Sequence, residues 1–394
     1  MKTYSKPPVL NKERRFSDNI VNAHSLILKA KNGEKGNQKG TPYAVPAFNV
    51  TTFQGINAAM DAFEILGSSG LMAFSNSALK HFGFGDQVTG LEIASNYIEQ
   101  RAKKSSTKVS THLDHGDYIS EGGRKVVKAA VQYLTSVMAD NSTNHAEKKA
   151  TDLKDNIGYT REVVEMAHPL GISVEGELGV LAGEEDEDTK SEFSTYTSPE
   201  EFSQFIEGTG VLMIAPTIGT MHGPNKGKPG QVVKLNVELA HELLGIANAF
   251  NPDTIFVAHG ASTLYPNVSD YAIKSLEKLG AGMDEKFGQT WKNFVGTDWN
   301  QIQGLIGAGF AKINTDTENR QTFLAALLGA VAENSAKIDI RWYDTKTTEA
   351  LTQSYLQKLI MAGNYGVWHE PKININKFKF DLSLGLKDAM ASAT

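Results

Sequence analysis

The sequence predicts a single α/β domain folded as a (β/α)8 TIM barrel, and two observations carry that prediction. Eight short, mostly apolar segments alternate with amphipathic helical patterns along the 394 residues, the signature of parallel strands joined by crossover helices. Polar and titratable residues gather at or just past the C-terminal ends of those segments: Asn49, Ser75, Asp114, His115, Asp140, Glu177, His259 and Asn314. In an open doubly wound sheet these ends would form a line, whereas a closed barrel brings them to one mouth.

In chain order the expected strands are YAVPAFNV, GLMAFSN, KVSTHLDHG, TSVMAD, ISVEGELG, VLMIAPTIG, TIFVAHGAS and FAKINTD. Between them, helical periodicity covers 55–66, 91–103, 121–134, 156–168, 199–207 and 232–249. Three regions exceed the minimal barrel, whose core is expected at about 43–345. An N-terminal extension reads as a short helix followed by the polar loop KNGEKGNQKG. About 50 residues separate the seventh and eighth strands, which calls for an extra helix pair near 271–279 and 299–306. After Asp344, a helical extension is expected outside the barrel or against another subunit.

Composition narrows the function classes. Hydrophobic residues at 40% and charged residues at 21% suit a globular chain with a sizeable core. A net charge of −6 offers no basic stripe, so nucleic acid is not an expected partner. The N-terminus lacks the apolar core of a signal peptide and no run of about 18 apolar residues occurs, so a soluble, cytoplasmic protein without a membrane span is expected. Cysteine is absent, so a tight transition-metal site must be built from imidazole and carboxylate. That directs attention to the ten histidines.

STHLDHGD crowds His112, Asp114 and His115 at the end of the third strand. Alternation puts His112 and Asp114 on one side and leaves His115 at the exit, where the chain can turn toward the mouth. TIGTMHGP places His222 after the sixth strand and FVAHGAS places His259 at the end of the seventh. Each is followed by a glycine, which permits φ > 0 or close approach of a ligand. Any one of these could be a core or surface histidine. Three strand-end imidazoles from strands three, six and seven suit a catalytic zinc centre, which uses three protein ligands and keeps one position open. Glu175 and Glu177 face the same side of the fifth strand, an arrangement that requires a cation or donors nearby. The run GEEDEDTKSE after it reads either as a solvated acidic surface or as a mobile lid carrying an acid/base.

The ordered motifs VPAFNV, FSN, HLDHGD, SVMAD, VEGELGVLAGEED, GTMHG, HGAS and KINTDT, spread over about 43–320, resemble those of the class II, metal-dependent fructose-bisphosphate aldolases. The resemblance implies that His115, His222 and His259 hold Zn2+, with Glu177 and Asp140 associated with the metal in an alternative arrangement. It implies an acid/base role for Asp114 at the hydroxyl of the aldehyde half, and for Glu185, on the lid, at the carbon of the ketone half. Gly223, Gly260, Ser262, Asp316 and Thr317 resemble the phosphate-binding set, Asn314 and Asp316 match substrate-contacting positions, and Asn49 and Ser75 match polar positions at the mouth. The implied activity is a lyase of glycolysis and gluconeogenesis that reversibly cleaves fructose 1,6-bisphosphate to dihydroxyacetone phosphate and glyceraldehyde 3-phosphate. Tagatose bisphosphate or another ketose phosphate is the alternative substrate. A monovalent cation activator and a homodimer or higher homo-oligomer are also implied.

The chain departs from the family pattern at three places. Ala261 follows Gly260 where glycine is usual, GPNKGKPG with Lys226 and Lys228 replaces a KPG-type turn, and Tyr343-Asp344-Thr345-Lys346 stands where the family carries Tyr-Asp-Pro-Arg. Lys346 would bring charge to the far phosphate without the bidentate fork of arginine. A metal-dependent hydrolase on the same barrel is the rival from another class. It would carry a His-x-His pair at the first strand and often a bridging lysine at the fourth, where this sequence reads AFNV and VMAD. A sugar-phosphate binder without catalysis is opposed by the presence of both Asp114 and Glu185.

Overall fold

A computed structural model describes residues 6–11, 16–36, 38–144, 147, 149–179, 183–186, 189–191, 196–221, 223, 226, 234–280 and 291–393, with the backbone alone for 183–186 and 189–191. All eight expected strands are present: β1 Val45–Asn49, β2 Gly70–Phe74, β3 Val109–Gly116, β4 Ser136–Ala139, β5 Ser173–Leu178, β6 Met213–Pro216, β7 Ile255–Ala258 and β8 Phe310–Thr315. They pair in parallel in sequence order, and β8 closes on β1 with Lys312 opposite Val45. The sheet is a closed barrel.

The helices follow the expected periodicity with sharper ends. After β1 comes α2 Phe53–Leu66, after β2 come α3 Asn76–Phe82 and α4 Gln87–Ala102, and after β3 comes α5 Glu121–Tyr133. Side chains of Thr52, Ser75, Asp86 and Ser120 accept from first-turn amides at 3.1, 3.3, 2.7 and 3.1 Å, N-caps worth about 1 kcal/mol each. The cap at Asp86 explains why α4 begins four residues ahead of the expected 91. Next are α6 Leu153–Ala167, α7 Pro199–Thr209 and α8 Val237–Phe250. The start of α8 is a correction to the expected 232, because Asn236 accepts from the Leu239 amide at 3.0 Å and fixes the first turn there.

The insertion between β7 and β8 contributes α9 Pro266–Lys278 and α10 Trp299–Ala308, the expected pair. The polar N-terminal loop includes a ribbon, Glu34–Lys35 against Gln38–Lys39. Ahead of it, α1 Ala23–Lys31 plugs the N-terminal end of the barrel: Leu26, Ile27 and Ala30 pack with Val45, Leu71, Met213 and Ile255. Beyond β8, α11 Thr317–Glu333 and α12 Ile340–Met361 form a helical hairpin, followed by α13 Leu386–Ala391. α12 lies against the outside of the barrel, where Tyr355 stacks on Phe48 of β1 at 4.1 Å between ring centroids. Among the described residues no helix is long and apolar enough to cross a membrane.

This apolar floor decides the site's location. Along β1 the inward positions are Val45, Ala47 and then Asn49, while Phe48 faces the outer helices. Inside the barrel the side chains therefore change from aliphatic to polar toward the strands' C-terminal ends.

Candidate metal and substrate site

The sharpest local feature is a bulge at the end of β3. Register slips between Leu113 and Gly116, and His115 takes a left-handed conformation, φ 55°. A bulge re-aims one side chain. It turns His115, which strict alternation would send outward, into the mouth beside Asp114. Gly116 makes the turn possible, because a Cβ there would lie 2.4 Å from the Met138 carbonyl oxygen.

Asp114 and the inward asparagines of the neighbouring strands form one hydrogen-bonded group. Asn49 Nδ2 donates to Asp114 Oδ2 at 2.7 Å and Asn314 Nδ2 to Oδ1 at 3.0 Å. Burial works to raise the Asp114 pKa, but the positive groups around it, His115, His259 and Lys312, outweigh burial and hold it down at about 2. Asp114 is thus a carboxylate at neutral pH, able to accept a proton.

The two described imidazoles of the expected metal set face each other, with ring centroids 4.8 Å apart. His115 Nδ1 is 2.9 Å from Asp140 Oδ2 and its Nε2 is 3.9 Å from Asp114 Oδ1. His259 Nε2 is 3.0 Å from Glu175 Oε1, and its Nδ1 is 3.3 Å from Glu177 Oε2. A carboxylate that accepts one ring N–H fixes the tautomer and leaves the other nitrogen to bind metal. By that rule His115 would ligate through Nε2 and His259 through Nδ1. Burial alone would lower the His259 pKa, yet Glu175 and Glu177 on its two sides pull it well up. The pocket therefore favours positive charge where a metal would sit.

Donor atoms of Asp114, His115 and His259 lie within 4.8 Å of one another, as do those of His115, Asp140 and Glu177. Imidazole nitrogens and carboxylate oxygens in this arrangement fit a divalent transition metal. His222 lies outside the described residues, and so does the side chain of Glu185. The backbone of Glu185 belongs to a ribbon after β5, Gly183–Asp186 paired antiparallel with Thr189–Ser191.

In a second layer beneath the imidazoles the sequence pointed to His112 and Glu175 but not to Lys312. Lys312 Nζ donates to Glu175 Oε2 at 2.7 Å and lies 3.4 Å from His112 Nε2, and His112 Nδ1 lies 2.8 Å from Ser136 Oγ. All three charged or titratable side chains are fully buried. Burial would raise the Glu175 pKa, but the Lys312 ammonium holds it far below the usual range. This supplies the donor demanded by two carboxylates on one face of β5. The signal was available: Lys312 is two residues before Asn314, so it must point into the barrel.

Above the metal group the mouth is an open cavity of about 350 Å³. Its walls carry Asn49, Ser75, Gly223, Gly260, Ser262, Asn314, Asp316 and Thr317 of the expected substrate set, the catalytic candidate Asp114, the metal candidates His115, Asp140 and His259, and also Lys80 and Lys226. Ser75 also caps α3, and Ser262 Oγ accepts the Asp316 amide at 3.1 Å, joining the loop after β7 to the start of α11. Lys226, 2% exposed, donates to the Gly260 carbonyl. Burial pushes its ammonium down to about 7. Lys346 is the exception. Its Nζ pairs with Glu333 Oε2 at 2.8 Å, at the far end of the α11–α12 hairpin. Within this chain it is not among the residues that line the cavity.

The family described as "Fructose-bisphosphate aldolase class-II" matches residues 35–367. The chain belongs to the class II fructose-bisphosphate aldolase family. Among relatives, the fructose-bisphosphate aldolase of Giardia intestinalis is 31% identical over 335 residues, 84% of this chain and 91% of that protein. That of Helicobacter pylori (strain ATCC 700392 / 26695) is 31% identical over 349 residues, 88% and 98% of the two chains. The crystal structure of Campylobacter jejuni fructose-bisphosphate aldolase shares the fold, with a TM-score of 0.65 at 18% identity over 89% of this chain and 97% of that one. The YdjI aldolase of Escherichia coli K12 does likewise, with a TM-score of 0.59 at 24% identity, covering 88% and 98%. Class II members are metal-dependent, in keeping with the two donor groups of this barrel.

Proposed function

We propose that the chain is a Zn2+-dependent aldolase that reversibly cleaves fructose 1,6-bisphosphate to dihydroxyacetone phosphate and glyceraldehyde 3-phosphate, working as a homodimer or larger homo-oligomer. The observation that carries this reading is Asp114, a buried carboxylate held by two amides within 4 Å of a candidate metal ligand at the barrel mouth. When bound, the metal supplies a Lewis acid that polarises the ketone and stabilises the negative charge left as the carbon–carbon bond breaks. Asp114 takes the proton of the carbon-4 hydroxyl as the bond between carbons 3 and 4 breaks, releasing the aldehyde. Glu185, on the ribbon after β5, is assigned the delivery of a proton to carbon 3.

The phosphate next to the ketone is assigned to the wall formed by Gly223, Lys226, Gly260, Ser262, Asp316 and Thr317. Thr317 opens α11, and a helix N-terminus favours an anion. The far phosphate is assigned to Lys80. It follows β2, whereas the Lys226 ammonium sits at the Gly260 carbonyl after β7, and both side chains line the cavity.

A coupled cleavage assay across fructose and tagatose bisphosphates, before and after stringent chelation, tests the proposal. Cleavage of the fructose substrate should vanish on metal removal and return with Zn2+. Full turnover of the metal-free protein would sink the mechanism, and a preference for the tagatose sugar would change the substrate while leaving the chemistry in place.

A further inference from the structure

Outside the eight strand-helix repeats, α12 sends one buried side chain to the back of the loop that follows β7. Lys358 Nζ and Glu318 Oε2 meet at 3.1 Å, and both side chains are 1% exposed. Glu318 Oε2 also accepts the backbone N–H of Thr263 at 2.6 Å. Lys358 donates to Thr263 Oγ1 at 3.2 Å and to the Ala261 carbonyl at 3.5 Å, and lies 5.1 Å above the ring of Trp299.

The adjoining carbonyls are fastened as well. Thr297 donates its hydroxyl to the Gly260 carbonyl at 2.7 Å and its N–H to the Ser262 carbonyl at 2.9 Å. Among the described residues there is no cis peptide, and a trans peptide sets its N–H opposite its C=O. The Gly260 carbonyl is shared between Thr297 and the cavity-lining Lys226, and with the Ala261 carbonyl engaged at the back by Lys358 the N–H of Ser262 turns the other way, the side on which Gly260 and Ser262 line the cavity.

We propose that Lys358, acting through Glu318 and Thr263, is a positioning residue that holds the 260–263 loop in its anion-binding form. The inference rests on the reading of this loop as the phosphate wall. A salt bridge removed from water adds little stability compared with an apolar pair of similar volume. This one directs its remaining hydrogen bonds at the backbone of a ligand loop. A loop ordered in advance spares the ligand the cost of ordering it.

The test compares Zn2+-loaded wild type, Lys358→Met/Glu318→Leu and Thr263→Val by thermal midpoint, by kcat and KM, and by competitive inhibition with inorganic phosphate. The double variant removes both charges together and so strands neither. Its inhibition constant and KM should each rise about tenfold, the scale of one charge-assisted hydrogen bond. Because ground-state and transition-state binding weaken alike, kcat should stay within about twofold. Thr263→Val, nearly isosteric, should raise the inhibition constant about threefold. A lowered midpoint with unchanged inhibition constant and KM would assign the pair a purely structural role and overturn the proposal. If the double variant does not fold, unchanged phosphate inhibition in Thr263→Val overturns it alone. A wild type indifferent to phosphate would instead remove the reading of the loop as a phosphate wall, and the brace with it.

Discussion

Replacing Asp114 by asparagine separates charge from shape at the centre of the site. Both carboxylate oxygens accept from amide groups, Asn49 at 2.7 Å and Asn314 at 3.0 Å, so the amide of Asp114→Asn would set one NH2 against another. The Oδ1 atoms of Asn49 and Asn314 are buried and make no hydrogen bond to described residues. One of those side chains can therefore flip and offer an acceptor, which limits the stability loss to about 1 kcal/mol. Catalysis has no such remedy, since asparagine cannot take a proton from the substrate hydroxyl. Losing a positioned general base costs about 10²–10⁴ in rate, or roughly 3–5 kcal/mol of transition-state stabilisation. A coupled assay at saturating fructose 1,6-bisphosphate should show that fall in kcat with KM and metal content near wild type. Solvent-proton exchange into dihydroxyacetone phosphate involves the ketone half only and should survive. A kcat within about tenfold of wild type, or exchange lost in parallel with cleavage, would show that Asp114 does not serve the aldehyde hydroxyl.

Three further substitutions probe the surroundings. Glu175→Gln removes the carboxylate that accepts His259 Nε2–H and faces Lys312; metal affinity, read by competition with a chelator, should weaken about 10–100-fold, and unchanged affinity would mean that Glu175 does not orient the ligand. Lys80→Ala should raise KM for fructose 1,6-bisphosphate about tenfold or more, as expected on losing a charged contact, while leaving KM for fructose 1-phosphate alone. Lys346→Ala should leave both unchanged, since its ammonium is turned to Glu333; the opposite pattern would return the far phosphate to Lys346.

The barrel was legible because its signals are local. Each strand is a short apolar run that ends in polar residues, and two-residue alternation correctly grouped His112 with Asp114 and Glu175 with Glu177. His115 was found in the cluster at the exit of the third strand, and His259 as a strand-end residue followed by glycine. Lys312 was passed over although it lies in KINTDT, because a lysine in a strand usually reads as exposed. Only the demand for a counter-ion by Glu175, 137 residues earlier in the chain, makes it an interior group. The short helix α3 was missed because Asn76–Phe82 spans too few residues to show a helical period.

By itself, the sequence determined the order and number of the strands, the side of each on which its polar residues lie, and the aldolase motifs those ends carry. These follow from chain-local alternation and apolarity. The tertiary structure alone decided which charges meet: His115 turned inward by a left-handed bulge, Lys312 beneath Glu175, Lys358 behind Thr263, and Lys346 turned away toward Glu333. Those outcomes depend on barrel closure and on where the hairpin of α11 and α12 returns, and so on distances between residues that no spacing along the chain encodes.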